Sequence, residues 1–199
     1  MLVCLALIGT AAAAESDPLA EFLASTRTLR AEFRQELRDG EGRVQEVSTG
    51  TVLIKRPNRF EWLYREPYQQ LVLADGERLW VYDKDLGQAS VATLGEALAA
   101  TPAMLLSGER AVSDEFEVQA SFTREDLDWV LLVPKKLSSD FRSVALAFRS
   151  GGLALMELKD NLGQTTWIEF SQVEPNPTLA DELFQFQPPP GVDVIGEAG

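Results

Sequence analysis

Lys55-Arg56-Pro57-Asn58-Arg59-Phe60-Glu61-Trp62 joins two runs that read as strands. Ahead of it, Thr51-Val52-Leu53-Ile54 is β-branched and apolar; behind it, Phe60, Trp62 and Tyr64 alternate with Glu61, Leu63 and Arg65. Proline presets φ at the second position of a turn and asparagine favours the third, so Pro57-Asn58 turns the chain and the whole reads as a hairpin. Side chains two apart on a strand share a face. Arg56 thus shares one with Val52 and Ile54, and Phe60 shares one with Trp62. If that face looks inward, Arg56 carries a charge into apolar space, which is costly unless acceptors meet it there. Spacing alone favours the simpler alternative, a surface hairpin with Arg56 in water.

Working outward, the same period of two recurs. Leu29, Ala31, Phe33, Gln35 and Leu37 alternate with Arg30, Glu32, Arg34 and Glu36, the pattern of a half-buried antiparallel strand. Further strands are expected over 44–55, 69–74, 78–82, 88–92, 116–122, 129–133, 143–149, 153–159 and 165–173. The turns between them include Asp75-Gly76, Gly151-Gly152 and Asp160-Asn161-Leu162-Gly163. Helices interrupt in few places. Asp17-Pro18 opens one, with Leu19, Phe22, Leu23 and Thr26 on a single stripe. Thr93-Leu94-Gly95-Glu96 has capping-box spacing, and Thr101-Pro102 starts a short helix through Met104-Leu105-Leu106 that Gly108 is placed to end. A helical turn is expected near 178–183. Ten or eleven antiparallel strands predict one strongly curved sheet or an incomplete barrel. The helices have apolar faces to bury, and the mouth of the curved sheet is the place to bury them. A hydrophobic cavity under a helical cover is the expectation.

Composition narrows the function. The 199 residues suffice for one domain with a sizeable core. A formal net charge of -13 argues against nucleic acid and against anionic lipid surfaces. Histidine is absent, which excludes Ser-His-Asp and Cys-His catalysis and any histidine metal site. The one cysteine, Cys4, leaves no disulfide framework and no cysteine zinc cluster. Residues 2–14 are apolar and then small, ending Ala12-Ala13-Ala14, as in a signal peptide cleaved before Glu15, although the basic n-region is missing. Met1-Leu2-Val3 ahead of Cys4 is not a lipobox. The expectation is a 1–14 signal peptide, a single domain over 15–199, and an exported, soluble protein.

Arg56-Pro57-Asn58-Arg59-Phe60-Glu61-Trp62 resembles the RPxxFxW signature of the periplasmic outer-membrane lipoprotein carrier family, LolA. The likeness continues through Pro67-Tyr68 with Gln70, Asp75-Gly76 with Leu79-Trp80, and Tyr82-Asp83 with Asp85-Leu86 and Gln88. Thr101-Pro102, Leu105-Leu106, Pro134-Lys135, Asp160 to Thr165, and Phe184 and Phe186 before Pro188-Pro189 follow in the family's order. It covers residues 17–195, and the ordered set is specific where no single piece is. The resemblance implies an unclosed eleven-stranded β-barrel with an α-helical lid. It implies a periplasmic, monomeric carrier without cofactor or metal, which takes acylated lipoproteins from an inner-membrane ABC transporter to an outer-membrane receptor. It also implies that Arg56 latches the lid through backbone carbonyls, and that Phe60, at the cavity rim, serves one-way handover. Leu19, Phe22, Leu23, Phe33, Val52, Ile54, Trp62, Met104 and Leu105 are the residues expected to line the cavity and its lid.

Other readings are weaker. A glycosidase would need paired carboxylates, with Asp83, Asp85 and Asp160 as candidates, but aspartates at turns are ordinary turn chemistry. Asp83-Lys84-Asp85 lacks the spacing of a calcium loop. A lipid-binding sensor or receptor module of the same fold is the alternative function. A lipobox would favour the receptor, and a second domain would favour the sensor. Trp80, Tyr82, Trp129 and Trp167 could touch ligand, but aromatic residues in strands are more often core.

Overall fold

The computed structural model describes residues 17–94, 102–107, 112–136 and 141–196. Helix α1 (Pro18–Ser25) starts where the sequence predicts: Asp17 Oδ1 accepts from the Leu19 and Ala20 amides at 3.1 and 3.0 Å, and proline fills the first turn. Then come β1 (Thr28–Arg38), β2 (Val44–Lys55), β3 (Arg59–Glu66), β4 (Gln70–Asp75), β5 (Arg78–Asp83) and β6 (Gln88–Thr93). Two short helices follow, α2 (Pro102–Ser107) and α3 (Val112–Glu115). The chain then returns to strands: β7 (Phe116–Arg124), β8 (Leu127–Pro134), β9 (Phe141–Arg149), β10 (Gly152–Asp160) and β11 (Thr165–Pro175). A 3-10 turn (Asp181–Phe184) and a short β12 (Asp193–Ile195) complete it.

The twelve strands among the described residues form one sheet in the order β12-β6-β5-β4-β3-β2-β1-β11-β10-β9-β8-β7. The outermost strands, β12 and β7, do not meet, so the sheet is unclosed. All neighbours run antiparallel except β12, which lies parallel to β6. The inner face gathers one apolar cluster from β1 to β5 and β8 to β11, and Leu19, Phe22 and Leu106 of the helices are part of it. Phe22 meets Phe148 with ring centroids 5.4 Å apart, and Phe33 meets Trp62 at 4.9 Å. The helices therefore fill the concavity with side chains. Gly50 shows how closely β2 and β3 approach: a Cβ there would lie 1.9 Å from the Leu63 carbonyl oxygen and 2.8 Å from the Phe33 ring. The chain after β11 crosses the opposite face, where Leu179 and Phe184 pack with Leu53, and Phe186 with Trp80.

The structure corrects several expectations. The central hairpin turns through three residues, 56–58, because Lys55 pairs with Arg59, and Asn58 takes φ +66°. Thr26 is the C-cap of α1 rather than part of its stripe. The helical turn falls at 181–184 instead of 178–183. Helix α3 and strand β12 carry too few residues to show a period, and no expectation covered them. The expected helix after Thr93 begins at Leu94, and its continuation lies outside the described residues, as do the 1–14 segment and Gly108.

Candidate functional site

The β2–β3 hairpin puts Arg56 one residue past the end of β2, on the inner side that the period of two assigns it. There it meets the ends of two helices. Nε donates to the Leu106 carbonyl of α2 at 2.8 Å; Nη1 donates to the Leu23 and Thr26 carbonyls of α1 at 2.8 and 2.7 Å. The last carbonyls of a helix have no intrahelical partner and carry partial negative charge, which suits a guanidinium. The Phe22 ring lies 5.2 Å from its centre, close enough for a cation–π contact. The Arg56 amide donates to the Arg27 carbonyl at 3.0 Å, and the Asn58 amide to the Ser107 carbonyl at 3.3 Å. Burial pushes the Arg56 guanidinium down to about 10, so it stays charged at neutral pH.

The same hairpin is held from outside. Lys55 Nζ donates to the Leu179 carbonyl and pairs with Asp181, each at 2.7 Å, and Arg59 pairs with Asp181 at 2.5 Å. Lys55 and then Arg59 hold the Asp181 carboxyl below its usual range.

Asn176 is a residue that the sequence reading missed. Its Oδ1 accepts from the Arg27 amide at 2.7 Å, its Nδ2 donates to the Ser25 carbonyl at 2.9 Å, and its own amide donates to the Thr28 carbonyl at 2.8 Å. It fastens the α1–β1 junction to the end of β11. The one signal for it is the run Pro175-Asn176-Pro177, a turn pattern like Pro57-Asn58.

The structure brings Leu19, Phe22, Phe33, Val52, Ile54 and Trp62 into the inner cluster, with Leu23 and Leu105 packed against it. Met104 lies on the backbone of α2, but its side chain is outside the described residues. Phe60 is placed otherwise than expected: it is 0% exposed in the inner apolar cluster, on β3 between Ile54 of β2 and Ala74 of β4, and not at an open rim. Open space lies beside α1 instead, as a cleft of about 850 Å³ whose walls include Phe22, Leu29, Leu153 and Phe170. The turn aspartates are occupied by backbone amides: Asp83 Oδ1 accepts from Leu86, and Asp160 Oδ1 from Leu162 and Gln164. Among the described residues no group of three or more His, Cys, Asp or Glu could hold a metal ion, and no helix is long and apolar enough to cross a membrane.

The family model described as outer membrane lipoprotein carrier protein LolA matches residues 24–187. The outer-membrane lipoprotein carrier protein of Dechloromonas aromatica is 43% identical over 195 residues, 98% of this chain and 94% of that protein. The protein of the same description from Methylococcus capsulatus is 44% identical over 190 residues, 94% of this chain and 91% of its own length. Of solved structures, a LolA-superfamily protein from Nitrosomonas europaea superposes with a TM-score of 0.50 at 14% identity, covering 85% of this chain and 96% of that one. A protein from Thermus thermophilus gives 0.55 at 11% identity, covering 90% and 96%. At such identities the solved structures speak for the fold alone.

Proposed function

Because this chain belongs to the LolA family of outer membrane lipoprotein carrier proteins, we propose that it is a periplasmic carrier that takes up the acyl chains of lipoproteins and gives them up again. Its work is binding and release rather than catalysis. Residues 1–14 act as its export signal, and residues 15–199 form the carrier as a monomer. Its donor is an inner-membrane ABC transporter and its acceptor an outer-membrane receptor.

The observation that carries the mechanism is the Arg56 guanidinium shared among carbonyls of α1 and α2 at the edge of an apolar concavity. Phe22, Leu19 and Leu106 fill the concavity from the helix side, and on this reading that is the space acyl chains take. Loading exchanges helix side chains for acyl chains and breaks the Arg56 bonds. Such an exchange restrains affinity. A buried methylene contributes roughly 0.8 kcal/mol. Three long chains buried without compensation would then exceed the roughly 20 kcal/mol at which noncovalent affinities saturate, and release would fail. A closed empty state competes with the ligand and lowers net affinity. Phe60, implicated in handover by the resemblance, acts from inside the core by shaping the bed on which α2 rests.

The experiment is displacement. An apolar fluorescent probe should bind the purified empty protein, and a triacylated lipoprotein should displace it. A probe that binds only the unfolded chain rejects the carrier reading.

A further inference from the structure

The sheet parts at one place. β10 pairs with β9 from Gly152 onward, and β11 pairs with β1 as far as Pro175. Between β10 and β11, however, pairing runs only from Leu155↔Glu169 to Lys159↔Thr165. Beyond that rung β10 and β11 do not pair: Gly152 and Leu153 keep partners on β9 alone, Phe170, Ser171, Glu174 and Pro175 on β1 alone, and Ala154, Gln172 and Val173 fall in irregularities without a register partner. The β1–β11 register shifts in this same stretch, between Arg30 and Glu32, and Gln172 takes φ +49°. A bulge of this kind bends its strand. The cleft of about 850 Å³ occupies the split. Phe22, Leu29, Leu153 and Phe170 belong to its walls and to the buried core alike, while Ser171 and Gln172 on its β11 side are exposed.

We propose that this split is a strand-addition site for the extended peptide joined to the acylated end of the cargo. The proposal rests on the carrier reading. Backbone chemistry selects the occupant: hydrocarbon laid in the split would cover amide and carbonyl groups of both strands without pairing them, at a cost for each. An extended peptide offers donors and acceptors at the repeat that a strand edge requires, with neighbouring strands about 4.8 Å apart. Continuity decides the place. The wall behind the split includes Phe22, the side chain that acyl chains must displace, so a cargo anchored inside has its peptide leave here.

Two lipopeptides with identical acyl chains test this, one with ordinary amides and one N-methylated at alternate residues so that it cannot pair as a strand. Each is titrated against the full chain by displacement of an apolar fluorophore, with a free fatty acid as the acyl-only probe. The methylated lipopeptide should bind about tenfold more weakly, as loss of one or two backbone hydrogen bonds implies. Ser171→Trp, which fills the split, should bring the ordinary lipopeptide down to the methylated level and leave the fatty acid unchanged. The amides of 152–154 and 170–174 should gain hydrogen-exchange protection with the ordinary lipopeptide alone. Equal affinities of the two lipopeptides without new protection overturn the proposal and leave the carrier reading standing. If no acylated probe binds, both fall together.

Discussion

Arg56 cannot shed its proton at any physiological pH, so oxygen acceptors must meet it wherever it is buried. Each bond from a charged donor contributes about 1.5–3 kcal/mol net, and Arg56 makes three to helix carbonyls. Arg56→Leu forfeits those three bonds but also removes the cost of burying a guanidinium, so the net destabilisation in urea unfolding should be about 2–4 kcal/mol, less than the sum of the bonds. It should also slow transfer of bound lipoprotein to its receptor. Arg56→Lys should do part of both, since an ammonium cannot fork to several carbonyls. Release as fast as in the parent protein would show that Arg56 is no latch. Phe60 carries a different prediction. Because it is fully buried, Phe60→Glu puts an unpaired carboxylate in the core and should cost several kcal/mol of stability or prevent folding. Near-parental stability would contradict the packing seen here. Strand period put Arg56 on the face of Val52 and Ile54 but by itself favoured a surface hairpin; the resemblance pointed it inward, and its acceptors, 30 to 50 residues away in the chain, could not be read from spacing. Asn176 was harder still, since what it holds is backbone, and backbone has no signature in the sequence.

At the scale of elements, α1 is fixed at its C-terminal end from two sides, by Arg56 and by Asn176. Asn176→Ala removes the side-chain bonds to Arg27 and Ser25. It should cost about 1–2 kcal/mol, and amide exchange in α1 should accelerate while exchange in β1 and β2 stays slow. Uniform acceleration across the chain would mean that Asn176 supports global stability and not the junction. The long strands were legible because one side of the sheet is buried: β1 alternates from Leu29 to Arg34 and β3 from Arg59 to Trp62, although Glu36, placed by the period on the solvent side, is buried, where its carboxylate pairs with Arg34 and Arg38. What escaped are the short pieces. β12 is three exposed residues held by backbone pairing to β6, and α3 is four residues without a buried side chain. Neither has a period to read.

At the scale of the molecule, charge sets the response to pH. Arg38 and Arg34 hold the Glu36 carboxyl below the usual carboxylate range, and Arg43 does the same for Asp39. A lowered carboxyl contributes stability above its unfolded pKa and loses that contribution as pH falls through the folded one. Glu61 runs the other way, raised by desolvation, so on its own it favours the folded state slightly as pH drops toward its pKa. With no histidine in the chain, the urea midpoint should be nearly flat from about pH 6 to 8 and should fall below about pH 4. A steep change near neutrality would contradict this assignment of charges. One further property follows from the guanidinium that two helices share. α1 comes from the start of the domain and α2 from the link between β6 and β7, yet both end on Arg56. If Arg56 is the latch proposed above, departure of either helix takes away carbonyls that hold its side chain in place, and the other helix should then leave more readily. On that reading the two covers should behave as one cooperative switch, open or shut, with few half-open molecules between, and a partial load too small to move the first helix should not be retained.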